Sequence, residues 1–206
     1  MGDFFMFFNN KERFVRYFRS ILIGLPVWYI IGVLISFSND FADKFGIKGF
    51  DQPTALMLQY AALAFGDMGA GIFSNYIKSR KKTLIIYYCI TAVFIFLFFA
   101  LKGGGSAFNM YLLCMGLGFG SGISVLYITM SAEQFGTNLR ATAATTVPNM
   151  VRGALPLLLM LFNGLQWHFS YTQAAFITGI LVMVISILAA YFSEETFGKD
   201  LNYYEV

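Results

Sequence analysis

Charge is scarce in this sequence. Asp, Glu, Lys and Arg make up 12% of the 206 residues, about half the share found in a soluble globular domain. That excludes an ordinary water-soluble surface. There is one histidine, His168, which cannot assemble a metal cluster by itself. The two cysteines, Cys89 and Cys114, both lie inside apolar runs. They read as small buried hydrophobes rather than a disulfide or metal ligands. No small-residue cleavage site follows the aromatic, mixed-charge start, so no cleavable signal peptide is expected. The period-2 alternation of a transmembrane barrel is also missing. Asp67, Glu133, His168 and the cysteines are scattered along the chain and form no catalytic cluster. No enzyme, cofactor, metal or nucleic-acid partner is therefore expected.

Apolar residues are what the sequence has in abundance: 58% are hydrophobic, with 24 Phe and 12 Tyr. They gather in six runs, at 20–38, 53–77, 83–101, 107–132, 141–164 and 172–192. A bilayer core of ~30 Å takes ~20 helical residues, and each run is long enough. The fold class expected is all-α, a polytopic membrane protein. Residues 1–19 form a leader in which Phe clusters alternate with Lys11, Arg13, Arg16 and Arg19. It reads either as an interfacial helix or as an unstructured start. Residues 20–192 are the six-helix domain and 193–206 a tail.

Cations set the orientation. Of 14 Lys and Arg, ten fall in the leader, the second loop (Lys78, Arg80, Lys81, Lys82), the fourth loop (Arg140) and the tail (Lys199). Three, Lys44, Lys48 and Lys102, fall on the other side, and Arg152 lies within the fifth run. The excess predicts that both termini are cytoplasmic. The lipid bilayer is accordingly the first partner expected, as an integral plasma-membrane protein.

The runs are not alike. The third and sixth carry almost nothing polar, which suits an outer position. The first, second, fourth and fifth hold the Gly, Pro, Asn and charged residues. Pro26 frees a backbone carbonyl in the first run and predicts a kink. In the fourth, Gly116 with Gly120 and Gly118 with Gly122 form two small-xxx-small pairs on different faces. They predict close helix contacts and a place to bend. In the fifth, Pro148 and Pro156 bracket Asn149 and Arg152.

Two charges are deep. Asp67 is eleven residues before Lys78, about 16 Å along a helix. Arg152 is twelve residues after Arg140, about 18 Å. Half the hydrocarbon core is ~15 Å, so both lie near the midplane. A charge there costs at least ~2.5 kcal/mol and should meet a partner or a wet cavity. Asp67 and Arg152 are therefore expected either to pair or, with Asn149, to form a substrate or proton site. On the cationic side, Glu133 is expected to pair with the 78–82 loop or with Arg140.

Three stretches resemble the major facilitator superfamily of transporters. Gly66-Asp67…Gly71…Ser74-Asn75…Lys78-Ser79-Arg80-Lys81 resembles its loop signature. Glu133-Gln134-Phe135-Gly136-Thr137…Arg140-Ala141-Thr142 resembles its E-x-F-P-T-x-x-R-A-T stretch. Glu194-Glu195-Thr196-Phe197-Gly198-Lys199-Asp200-Leu201 resembles its P-E-T-K-G-x-x-L tail. Asn75 stands where the signature usually has an acid, Ser79 where it has its second glycine, Gly136 for the proline and Phe197 for a lysine. The resemblance is to the second six-helix half of a family member and implies that fold. It implies a conformational gate at Gly71, Asn75, Lys78, Arg80, Lys81, Glu133 and Arg140. It also implies secondary-active transport of a small solute by alternating access, proton-coupled or facilitative. The other half, expected to precede this one, or a second copy would then complete the site. A non-transporting membrane subunit, or a truncated product that keeps the fold, is the alternative expectation.

Overall fold

The computed structural model describes residues 3–103 and 105–205. Met1, Gly2, Gly104 and Val206, which belong to the leader, the glycine triplet and the tail, lie outside them. All regular structure among the described residues is helical. Six helices are long and apolar enough to cross a membrane: Lys11–Ile35, Gln52–Ile77, Arg80–Ala100, Ala107–Glu133, Thr137–Leu165 and Tyr171–Phe192, called spans 1 to 6 below. They follow the six apolar runs, and the chain is a membrane-embedded all-α protein. Span 1 starts at Lys11 rather than at residue 20. Asn10 caps it by accepting the Glu12 N–H at 2.8 Å, and no Gly or Pro interrupts the charged stretch that follows. A short 3-10 turn at Phe4–Phe7 precedes it and buries Phe7 against Tyr17 and Phe135.

Span 1 consists of α1 (Lys11–Tyr29) and a π-helical continuation, Ile30–Ile35. Pro26 has no N–H to offer the Leu22 carbonyl. Ser186 of span 6 supplies the missing donor, its hydroxyl reaching that oxygen at 2.7 Å. Tyr88 donates to the neighbouring Ile23 carbonyl at 2.6 Å and Tyr29 to Ala175 at 2.7 Å. Span 1 is thus stapled to spans 3 and 6 by three hydroxyl-to-carbonyl bonds, two received on its own backbone and one given by Tyr29. It is the most enclosed span, and spans 2 and 5 are the least. The connection after it is partly helical. It forms α2 (Ser38–Phe45), which buries Phe41 and Phe45, four residues apart on one face.

Spans 2 and 3 are the unbroken helices α3 (Gln52–Ile77) and α4 (Arg80–Ala100). Lys78, with φ of 56°, ends α3 in the left-handed region. Span 4 is broken into α5 (Ala107–Gly120) and α6 (Ser124–Glu133). Its glycines explain both the packing and the break. A Cβ at Gly116 would overlap the Phe94 ring, and one at Gly120 would press on Thr91, both in span 3. A Cβ at Gly118 would overlap the Gln59 backbone, and one at Gly122 the Gly66–Asp67 backbone, both in span 2. The two glycine pairs therefore admit two different neighbours at backbone distance. Span 5 divides into α7 (Thr137–Gly153) and α8 (Leu155–Leu165), with Pro156 in the first turn of α8. Span 6 is α9 (Tyr171–Phe192), opened by a capping box of Ser170 and Gln173. Spans 3 and 6 pack on each other, and α1 packs against α6, α7 and α9.

Candidate functional site

At mid-depth a cleft of about 270 Å³ opens beside Arg152. Span 1 contributes Trp28, flanked by Val27 and Ile31; span 2 contributes Tyr60 and Leu63. Span 4 contributes Ser124 and Tyr127 from the start of α6, and span 5 contributes Pro148, Asn149 and Arg152. Spans 3 and 6 contribute nothing to it. The Arg152 guanidinium lies over the Trp28 ring, 5.3 Å from its centroid. Asn149, three residues earlier in α7, donates one amide hydrogen to the Thr145 carbonyl at 2.9 Å. Its second hydrogen and its oxygen meet no partner among the described residues and can meet a ligand.

Asp67 and Arg152 do not pair. Among the described residues, ion pairs are limited to Arg16–Glu205, Arg80–Glu133 and Lys199–Glu194. Equal depth does not fix direction around the helix axis, and the break in span 4 draws the carboxylate elsewhere. Breaking a helix leaves N–H groups unpaired at the start of the second piece. The Asp67 Oδ1 accepts one of them, from Val125, at 3.2 Å. The carboxylate thereby caps α6, where a negative charge is also favoured by the helix dipole. Asp67 bonds the backbone of this α6 terminus, while Arg152 lines the cleft together with its Ser124 and Tyr127.

The second cluster lies on the face that carries both ends of the chain. Arg80 forms a fork with Glu133: Nη2 to Oε1 at 3.2 Å and Nε to Oε2 at 3.4 Å. Nη1 of the same guanidinium donates to Ser74 at 3.0 Å and to the Asn75 amide oxygen at 3.3 Å. Asn75 thus keeps the contact to Arg80 without supplying charge. Glu133 also accepts the Thr196 hydroxyl at 2.6 Å. It does not reach Arg140, which donates instead to the Leu201 carbonyl. Lys81 donates to the Ser193 carbonyl at 3.1 Å and to that of Tyr191. Lys78 serves as the helix end just described, and at Gly71 a Cβ would meet nothing within 4 Å.

The tail, which carried only a motif in the sequence, organises this face. Glu195 accepts the Ser79 hydroxyl and the N–H groups of Arg80 at 2.9 Å and Lys81 at 3.3 Å, capping α4. Burial alone would raise the Glu195 carboxyl; the Ser79 bond and the backbone N–H donors outweigh it and hold it below the usual carboxylate range. Glu194 is held low by its hydrogen bond to Lys199, at 2.8 Å, and by that cation's charge. Glu205 pairs with Arg16 at 3.0 Å and bonds Asn138 through its backbone. The sequence reading missed Glu195, Thr196, Glu205 and Arg16 as site residues. The signal available was parity: an even number of spans returns the acidic tail to the face that holds the cationic loop. Trp28, Tyr60 and Tyr127 were missed in the cleft, because aromatics are too common in this chain for any one to stand out.

Among the described residues, no group of His, Cys, Asp and Glu converges in a way that could hold a metal ion. No protein-family model, curated protein or solved structure matches the chain.

Proposed function

We propose that the chain is a six-helix half of a secondary-active transporter of the major facilitator type. It would move a small solute across the plasma membrane by alternating access, with both termini in the cytoplasm. The observation that carries this reading is the lining of the mid-depth cleft. Spans 1, 2, 4 and 5 supply all of it, including Arg152 and Asn149. Transporters built from paired repeats hold their substrates at the midplane between the repeats, often beside discontinuous helices. The broken spans 4 and 5 fit that description. Spans 2 and 5 are the least covered by the rest of the chain, which leaves them free to meet a second six-helix unit. That unit, another half or a second copy, supplies the opposite wall of the site.

In this reading the face bearing the chain ends is a gate. The Arg80–Glu133 fork and the docked tail hold the second loop, the fourth loop and the end of span 6 together. Opening that face requires these charge-assisted bonds to exchange for water. Proteoliposome uptake tests the proposal, with the chain alone and with a co-reconstituted six-helix half. Solute accumulation above empty vesicles in one pairing, abolished by Arg152→Gln, is the expected result. Uptake equal to empty vesicles in every pairing, with correctly folded protein, overturns it in favour of a non-transporting membrane subunit.

A further inference from the structure

We propose that the mid-depth cleft recognises a small organic monocarboxylate, its carboxylate on Arg152 and Asn149 and its apolar body against Trp28 and Tyr60. As substrate recognition, this rests on the transporter reading; as binding, it stands on the cleft alone.

The argument starts from an uncompensated cation. Arg152 is about 20 Å from the nearer end of span 5, Leu165, at helical rise, where a charge needs a counter-ion or water. No ion pair or hydrogen bond of its guanidinium occurs among the described residues. The Trp28 face attracts the positive charge but satisfies none of its N–H groups. The other midplane charge, Asp67, is engaged at the start of α6. The free hydrogen of Asn149 lies one turn away on the same helix. A planar guanidinium with an amide beside it matches a carboxylate, two acceptor oxygens in a plane.

The rest of the cleft selects among anions. It holds one cation, so a phosphate or sulfate dianion would be left half-compensated. Val27, Ile31 and Leu63 make one side apolar, and Trp28 and Tyr60 offer ring faces. A volume of about 270 Å³ suits a compact solute rather than a sugar chain or peptide. A lipid headgroup shares the oxyanion chemistry. Arg152 lies near the middle of span 5 and so near the midplane of the ~30 Å core, out of a headgroup's ordinary reach from either face, and the free carboxylate is the occupant proposed.

Benzoate is the probe. The chain has two tryptophans, and Trp167, 86% exposed, is remote from the cleft lining. Trp167→Phe leaves Trp28 as the reporter beside Arg152. In phosphatidylcholine nanodiscs, benzoate is expected to change Trp28 emission saturably. Benzyl alcohol and inorganic phosphate are expected to leave it unsaturated. Arg152→Gln should weaken benzoate about tenfold or more and Arg152→Lys by less, because one charge-assisted bond of this kind is worth at least that factor. A parent chain with no saturable response overturns the proposal, as does equal affinity in Arg152→Gln. If Arg152→Gln loses its helical circular dichroism, unchanged affinity in both Arg152→Lys and Asn149→Ala overturns it. Nanodiscs containing phosphatidylglycerol form the last arm. An emission change on that lipid alone, with benzoate no longer competing, assigns the site to headgroups and also overturns it. Benzoate binding without uptake in any pairing would instead sink the transporter reading and leave the site standing.

Discussion

The Ser186 hydroxyl donates to the Leu22 carbonyl, the acceptor that Pro26 leaves without its helical partner. A substitution in span 1 and one in span 6 are therefore coupled through a single oxygen. Ser186→Ala is expected to cost about 1 kcal/mol in reversible unfolding, within the range for buried and membrane hydrogen bonds. In a Pro26→Ala background the restored N–H can take the same carbonyl, and the cost of Ser186→Ala should fall toward zero. Additive costs would show that the bond is not a substitute for the missing one.

Glycine substitutions should divide by neighbour. Gly118→Ala and Gly122→Ala push a methyl into the backbone of span 2, which cannot turn aside, and should each cost about 1–3 kcal/mol. Gly164→Ala in α8 meets nothing within 4 Å and should be neutral or slightly stabilising, since alanine favours helix. Thermal denaturation in one detergent ranks the three.

Asp67 acts on α6 as a hydrogen-bond acceptor. Asp67→Asn retains an oxygen for the Val125 N–H, whereas Asp67→Ala does not. Loss of a helix cap costs about 1 kcal/mol, so Ala should be the more destabilising of the two by that order. Equal loss in both would assign the role to the charge rather than to the cap.

The Arg80–Glu133 fork predicts non-additivity. Arg80→Ala and Glu133→Ala should each loosen the face that bears the chain ends, and the double variant should cost less than the two together, by about 0.5 kcal/mol or more. Arg140→Ala should add independently to Glu133→Ala, because Arg140 serves the Leu201 carbonyl instead. Protease sensitivity of the tail gives the readout.

Acid should undock the tail. Both Glu194 and Glu195 are held below the usual carboxylate range. A group depressed in the folded state stabilises it above its unfolded pKa, about 4.3 for glutamate, and that stabilisation is lost as pH falls through the lower folded value. Tail protection should therefore be full at neutral pH and fade below about pH 4. In Glu195→Gln the protection should already be reduced at pH 7, with a shallower acid transition.

How much of this was legible in the sequence follows from physical scale. The six spans were, because ~20 apolar residues admit few other meanings. The division of Gly116/Gly120 from Gly118/Gly122 was also legible, since helical periodicity fixes which small residues share a face. The partners of Asp67 and Arg152 were not. Depth follows from counting residues, but rotation about each helix axis and the exact place where span 4 breaks follow from packing. Glu133 left two partners open in sequence, and only the docked tail, through Thr196, shows why Arg80 is the one chosen. The helix α2 was not legible either, because its Asp and Lys residues mask Phe41 and Phe45.

The interruption of span 4 gives α6 the mechanics of a lever. Its upper partner, α5, is clasped by spans 2 and 3 at three glycines, Gly116, Gly118 and Gly120, so bending concentrates in the three non-helical residues Ser121 to Ile123. The arm from Ser124 to Glu133 is about 15 Å long, and a swing of about 10° moves its tip about 2.6 Å. Glu133 is that tip. A displacement of that size exceeds what the 3.2 Å contact to Arg80 can follow without side-chain rearrangement. A small rotation beside the cleft would thus be amplified at Glu133 and its bonds to Arg80 and Thr196.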